Sequence, residues 1–182
     1  MNRFILDQDP WEIPELMCDQ HIVKMITEEA QMLCHAIRFH MPRYARANDD
    51  ALFQPMSAGH ANHPCTLWVT YSRSNFDWAV DLFHFMCIEY TTRFHKTHGT
   101  EDRVGAAINL AMTHKDYEDW PDVGLSRHPQ CFGDMQHQCE TDEWWPVNAY
   151  RAYYRTKLTT FSRPMRFKHG VPTFMQTQED AA

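Results

Sequence analysis

No stretch of the sequence holds the run of about 18 apolar residues that a membrane-spanning helix needs, so no membrane partner is expected. The opening residues, MNRFILDQDPWEIPE, have no basic segment followed by a long apolar core, which argues against a secretory signal. Glycine is scarce: six residues, scattered, form no phosphate-cradling loop and no Gly-x-Ser-x-Gly elbow. Positive charge is also in deficit. A net charge of -7 works against a general nucleic-acid binder, which normally carries a basic surface. Only the C-terminal segment, with Arg151, Arg155, Lys157, Arg163, Arg166 and Lys168, is locally basic. The six cysteines are spread out and suggest free thiols in an intracellular, cytoplasmic protein rather than a disulfide framework. Internal repeats, low-complexity segments and a domain boundary are lacking too. With 182 residues, 43% of them hydrophobic, the chain is expected to form a single domain over 1–182.

What is present centres on Cys18 to His40, CDQHIVKMITEEAQMLCHAIRFH, a stretch without Gly or Pro. It predicts a helix over 20–39, with Asp19 offering a side-chain oxygen as N-cap. At about 100° per residue, Ile22, Ile26, Ala30, Leu33 and Ile37 share one apolar arc. His21, Lys24, Glu28, Gln31 and His35 share another. Such a stripe reads either as a solvated face or as one wall of an active site, since acid, base, cation and amide groups follow one another at single turns.

The remaining chain reads as mainly α with long ordered loops. An arm over 1–17 holds a short extended segment at 2–6 and breaks at Pro10 and Pro14. Residues 42–63 read as a connection without sustained period. A long helix is expected over 64–94, opening at Pro64, with Leu67, Trp68, Tyr71, Trp78, Ala79, Leu82 and Met86 on its inward arc. Asn75, Glu89 and Arg93 fall on that arc as well. They read either as self-satisfying partners, Glu89 with Arg93 at i, i+4, or as lining groups of a site. A weaker helix is expected over 102–115, then an irregular loop rich in Pro, Gly and Trp. A last helix over 147–161 puts Tyr150, Tyr153 and Tyr154 on one side, and the tail is expected to fray at its polar end.

Twelve histidines are many for this length and favour a polar site. His60-x-x-His63 and His95-x-x-His98 have chelating spacings but lack further ligands at a recognised distance, and Cys131, His137 and Cys139 match no standard zinc pattern. No cofactor is therefore expected, with a metal ion kept as the competing reading. Trp144-Trp145 and the three tyrosines have the rings to stack on bases, though core and interface packing accounts for them better.

The triple Asp19-Gln20-His21, with Glu28 seven residues after the His and Asn2-Arg3 near the start, resembles the phage-type pyrimidine-dimer DNA glycosylases. Gly59-His60 or His63 before a long helix, and Tyr150-Arg151-Ala152-Tyr153-Tyr154, resemble that family more loosely. A related group of uncharacterised phage proteins with a Cys-Asp-Lys-His-Val-Val-Lys-Met segment is similar too. The resemblance implies a small helical DNA glycosylase/AP lyase of DNA repair, active in the host cytoplasm on a DNA or nucleotide substrate. It implies an amine that attacks C1′ of a damaged or modified pyrimidine nucleotide, Glu28 as central carboxylate, His21 beside it and Arg3 on a phosphate. Asn2 stands where the family has Thr, so the α-amine is that of Met1 or of Asn2, and Lys24 is a further candidate amine. Gln31, Asn75, Arg93 and His63 are candidate substrate-binding groups. Two other readings stand beside this one. One is a metal-dependent hydrolase or nucleotide-modifying enzyme using His21, Glu28, His35 and His63. The other is a non-enzymatic host-takeover protein whose polar stripe is only a wet face.

Overall fold

The computed structural model describes residues 2–176; Met1, and with it the position of its amine, and the polar end of the tail at 177–182 lie outside them. The described chain is mainly α, with no strand among the described residues. In order come α1 (Ile13–Leu16), α2 (Asp19–His40), α3 (Pro42–Ala47), α4 (Ala58–Ala61), α5 (Pro64–Tyr71), α6 (Arg73–Phe94) and α7 (Gly99–Met112). The last three are α8 (Gln136–Cys139), α9 (Val147–Arg155) and α10 (Lys157–Thr160), and short 3-10 turns sit at Lys115–Tyr117, Gly133–Met135 and Thr173–Met175.

Helix α2 is the spine, packed by α5, α6 and α7. Its apolar arc is where the period puts it: Ile22, Ile26, Ala30, Leu33 and Ile37 are all fully buried. The start differs in detail from expectation. Cys18 occupies the N-cap position without a side-chain cap, and Asp19 is the first helical residue. Its carboxylate is taken instead by Arg93, 3.1 Å away, and still meets the positive end of the helix dipole.

The helix expected over 64–94 is broken at Ser72, whose φ of -142° and ψ of 144° are extended. A loop from far along the chain fills the break. Ser72 Oγ donates to Asp122, Arg73 N–H donates to the Pro121 carbonyl, and Asn75 bonds both Trp68 O and Ser126. The helical register does not carry across an extended residue. Leu67 and Tyr71, placed inward by a continuous helix, are 52% and 62% exposed, whereas Trp78, Ala79, Leu82 and Met86 are buried. The other boundaries shift less: α7 begins at Gly99, where His98 caps it, and the last helix divides at Thr156. The connection over 42–63 contains α3 and α4.

Candidate functional site

The arm lies against α2, with Asn2 bonded to Glu28 and Arg3 to Glu29, and is held there by its own burial. Phe4, Ile5 and Leu6 are core residues. Asn2 is pinned by its side chain: Nδ2 donates to the Cys131 carbonyl at 2.8 Å, and Oδ1 accepts the Arg3 N–H at 2.7 Å. Arm, α2, the Cys131–Gly133 loop and α10 together enclose a hollow of about 480 Å³. Asn2, His21, Lys24, Glu28, His63 and Lys157 supply its polar lining; Phe4, Tyr153 and Phe161 supply aromatic surface.

At its centre the Asn2 N–H donates to Glu28 Oε2 at 3.1 Å. Lys24 Nζ lies 3.0 Å from Glu28 Oε1, and the Glu28 side chain is 14% exposed while that of Lys24 is 64% exposed. The carboxylate is therefore half-sheltered, opening to a hollow large enough for a nucleotide-sized ligand. Lys24 stands in solvent, without the apolar enclosure that surrounds a desolvated nucleophilic lysine.

His21 is buried, with Phe4 and Phe161 rings 4.6 and 5.0 Å away. Its Nδ1 lies 2.7 Å from Tyr154 Oη, which also accepts the Cys18 N–H at 3.0 Å. A phenol has one proton. Spending it on Nδ1 satisfies every group, which leaves the imidazole proton on Nε2. Burial, with smaller contributions from Lys24 and Lys157, pulls the His21 pKa down to about 3. At neutral pH it is thus an uncharged hydrogen-bonding group, held in one tautomer.

Arg3 does not face the hollow. It is 2% exposed and forms a buried ion pair with Glu29, Nε donating to Oε2 at 3.0 Å. Its guanidinium lies 4.9 Å from the Trp68 ring centroid, and Nη1 finds no hydrogen-bond partner among the described residues. Burial works against its charge, but the Glu29 carboxylate outweighs burial and raises the Arg3 pKa. The phosphate-holding role that the resemblance implies for Arg3 is therefore corrected: an enclosed guanidinium committed to a carboxylate is not free to reach a solvent-borne phosphate.

Of the expected site residues, Glu28, His21, Lys24 and His63 come together. The others do not. Gln31 lines a neighbouring hollow with His60 and Arg103, and His35 a third, apolar one with Phe39, because the stripe climbs about 21 Å along α2 from residue 21 to 35. Asn75 is consumed at the α5–α6 break. Arg93 is buried and donates to Glu89, Asp19 and the carbonyls of Met17 and Pro14, which tie α6 to the entry of α2. Those two polar residues follow the self-satisfying reading.

Lys157, Cys131 and Tyr154 stand outside the expected site set. The basic C-terminal segment was the only signal for Lys157, Tyr154 was marked only as one of three tyrosines on one side of a helix, and Cys131 only through a spacing with His137 and Cys139 that matches no zinc pattern. Cys131 nevertheless meets Cys65, with sulfurs 3.8 Å apart, and His63 stands beside them. Hydrogen bonding from Cys65 lowers the Cys131 pKa, and the same bond together with burial raises that of Cys65. Compared with protein-family models, curated proteins and solved structures, the chain matches none.

Proposed function

We propose that this hollow is the active site of a DNA glycosylase/AP lyase-like enzyme acting at the glycosidic centre of a damaged or modified pyrimidine nucleotide. The observation that carries the reading is the Asn2 nitrogen placed 3.1 Å from Glu28 Oε2, inside a hollow with aromatic and cationic walls. In the uncut chain that nitrogen is an amide and only donates. A chain processed to begin at Asn2 presents it as an α-amine, whose pKa near 8 leaves a useful neutral fraction at physiological pH.

The neutral amine forms the N–C1′ bond as the bond from C1′ to the base breaks, and the departing base takes up a proton. Glu28 stabilises the positive charge that develops on the sugar and accepts the proton the amine loses. Opening of the sugar ring gives a Schiff base, from which loss of a C2′ proton expels the 3′ phosphate and cuts the strand. His21 supports this as a fixed neutral donor through Nε2–H. Lys24 and Lys157 offer cations for phosphate, the role Arg3 cannot serve. Six free thiols are in keeping with a reducing, cytoplasmic setting.

The test is strand nicking of ultraviolet-irradiated duplex DNA, and of duplex with an abasic site, by the purified chain and by Glu28→Gln. Nicking by the parent chain and its loss in the variant support the reading. Absence of nicking by a chain shown to begin at Asn2 counts against it.

A further inference from the structure

The lining of the hollow carries a second chemical feature that the glycosidic reading does not use. His63 is the N-cap of α5, Cys65 sits in that helix's first turn, and Cys131 arrives from the loop after α7, 66 residues further along. One ligand atom from each lies within 4.8 Å of the other two. We propose that His63, Cys65 and Cys131 form a three-ligand site for a thiophilic divalent cation, zinc by preference, with a fourth position filled by water or ligand from the hollow.

The geometry suits that ion. Two sulfurs each about 2.3 Å from one tetrahedral zinc stand about 3.8 Å apart, and the Cys65–Cys131 separation is 3.8 Å. A Cys2His set plus one open position is also the pattern of catalytic rather than closed structural zinc. His63 and Cys131 both line the hollow while Cys65 is buried, so the cluster opens to the hollow through those two residues. Charge balances: both thiols lose their protons to solvent, and two thiolates offset a divalent ion beside a neutral imidazole. The nearby Arg3 guanidinium then faces a neutral group instead of a bare cation. At present the His63 Nδ1 lone pair accepts the Cys65 N–H at 3.2 Å. Ligation through Nδ1 exchanges that long cap for a metal bond; ligation through Nε2 moves the ring proton to Nδ1.

The inference does not rest on the glycosidic reading, since its readout is binding and not turnover. The full chain, reduced and stripped with chelator, is titrated with Co²⁺ and then Zn²⁺. The expected result is one equivalent bound, a thiolate-to-cobalt charge-transfer band with tetrahedral d–d absorption, and displacement of both by zinc. Cys131→Ser and His63→Ala should each weaken binding by at least about tenfold, while Cys139→Ser leaves it unchanged. Cys131 is only half-buried, so its variant keeps the test sound if Cys65→Ser misfolds. A wild-type chain that shows no band, a band that survives in Cys131→Ser, or a reduced chain that closes a Cys65–Cys131 disulfide without ever taking up metal would each overturn the proposal.

Discussion

Glu28 and Glu29 are neighbours on one helix with opposite fates. Glu28 looks into a hollow beside the Asn2 nitrogen and Lys24; Glu29 turns about 100° away and is sealed against Arg3 at 1% exposure. The same side chain thus serves as an addressable carboxylate on one face and as the counter-ion of an enclosed arginine on the other. The Arg3–Glu29 pair fastens the arm to α2, which in turn fixes the Asn2 nitrogen against Glu28. Structure and proposed chemistry are separated by one residue.

The largest expected effect breaks the pair of neighbours apart functionally. Glu28→Gln should lower nicking by about 10²–10⁴-fold and leave the melting temperature almost unchanged; a folded variant with parental activity would remove Glu28 from the mechanism. Next comes Glu29→Ala, which strands a buried guanidinium and should cost about 3–5 kcal/mol in urea unfolding. The double variant Arg3→Met/Glu29→Leu should recover much of that stability, because apolar side chains of similar volume need no counter-ion. A loss below about 1 kcal/mol in Glu29→Ala would mean the pair is more hydrated than its burial indicates.

A smaller effect concerns pH. The folded-state pKa of His21 is lowered from 6.5 to about 3, so between those values the unfolded chain binds the proton and the folded chain does not. His21 therefore supports stability fully above pH 6.5 and loses that support as pH falls toward 3, with at most about 5 kcal/mol at stake. His21→Gln should flatten that part of the stability–pH curve, and an unchanged slope would assign it to other groups such as His128, whose pKa burial also depresses. The smallest effect belongs to Lys24→Ala. An exposed pair contributes about 0–1 kcal/mol, and activity should fall by less than tenfold; abolition would instead make Lys24 the nucleophile.

The helical character, α2 and its buried isoleucines were legible because a stretch without Gly or Pro leaves the 3.6-residue period as the only instruction. So was the grouping of His21, Lys24 and Glu28, one turn apart. Other features were not. The break at Ser72 depends on Asp122 and Ser126, some 50 residues away, and a serine, which sits at helix caps and on helix surfaces alike, does not by itself announce an extended residue. Glu29 was invisible as a core residue because its partner, Arg3, belongs to a different segment and reads on its own as a cation awaiting an anion. Asn75 and Arg93 show the converse: polar residues on an inward arc find partners before they find ligands.

The most direct test is borohydride trapping. A chain verified by mass to begin at Asn2 is incubated with ultraviolet-irradiated duplex DNA, reduced, and digested to map any adduct, with a competent glycosylase as positive control. A covalent link to the Asn2 α-amine, absent in Glu28→Gln, is the predicted result. No adduct while the control traps efficiently, or an adduct at Lys24 alone, would contradict the account.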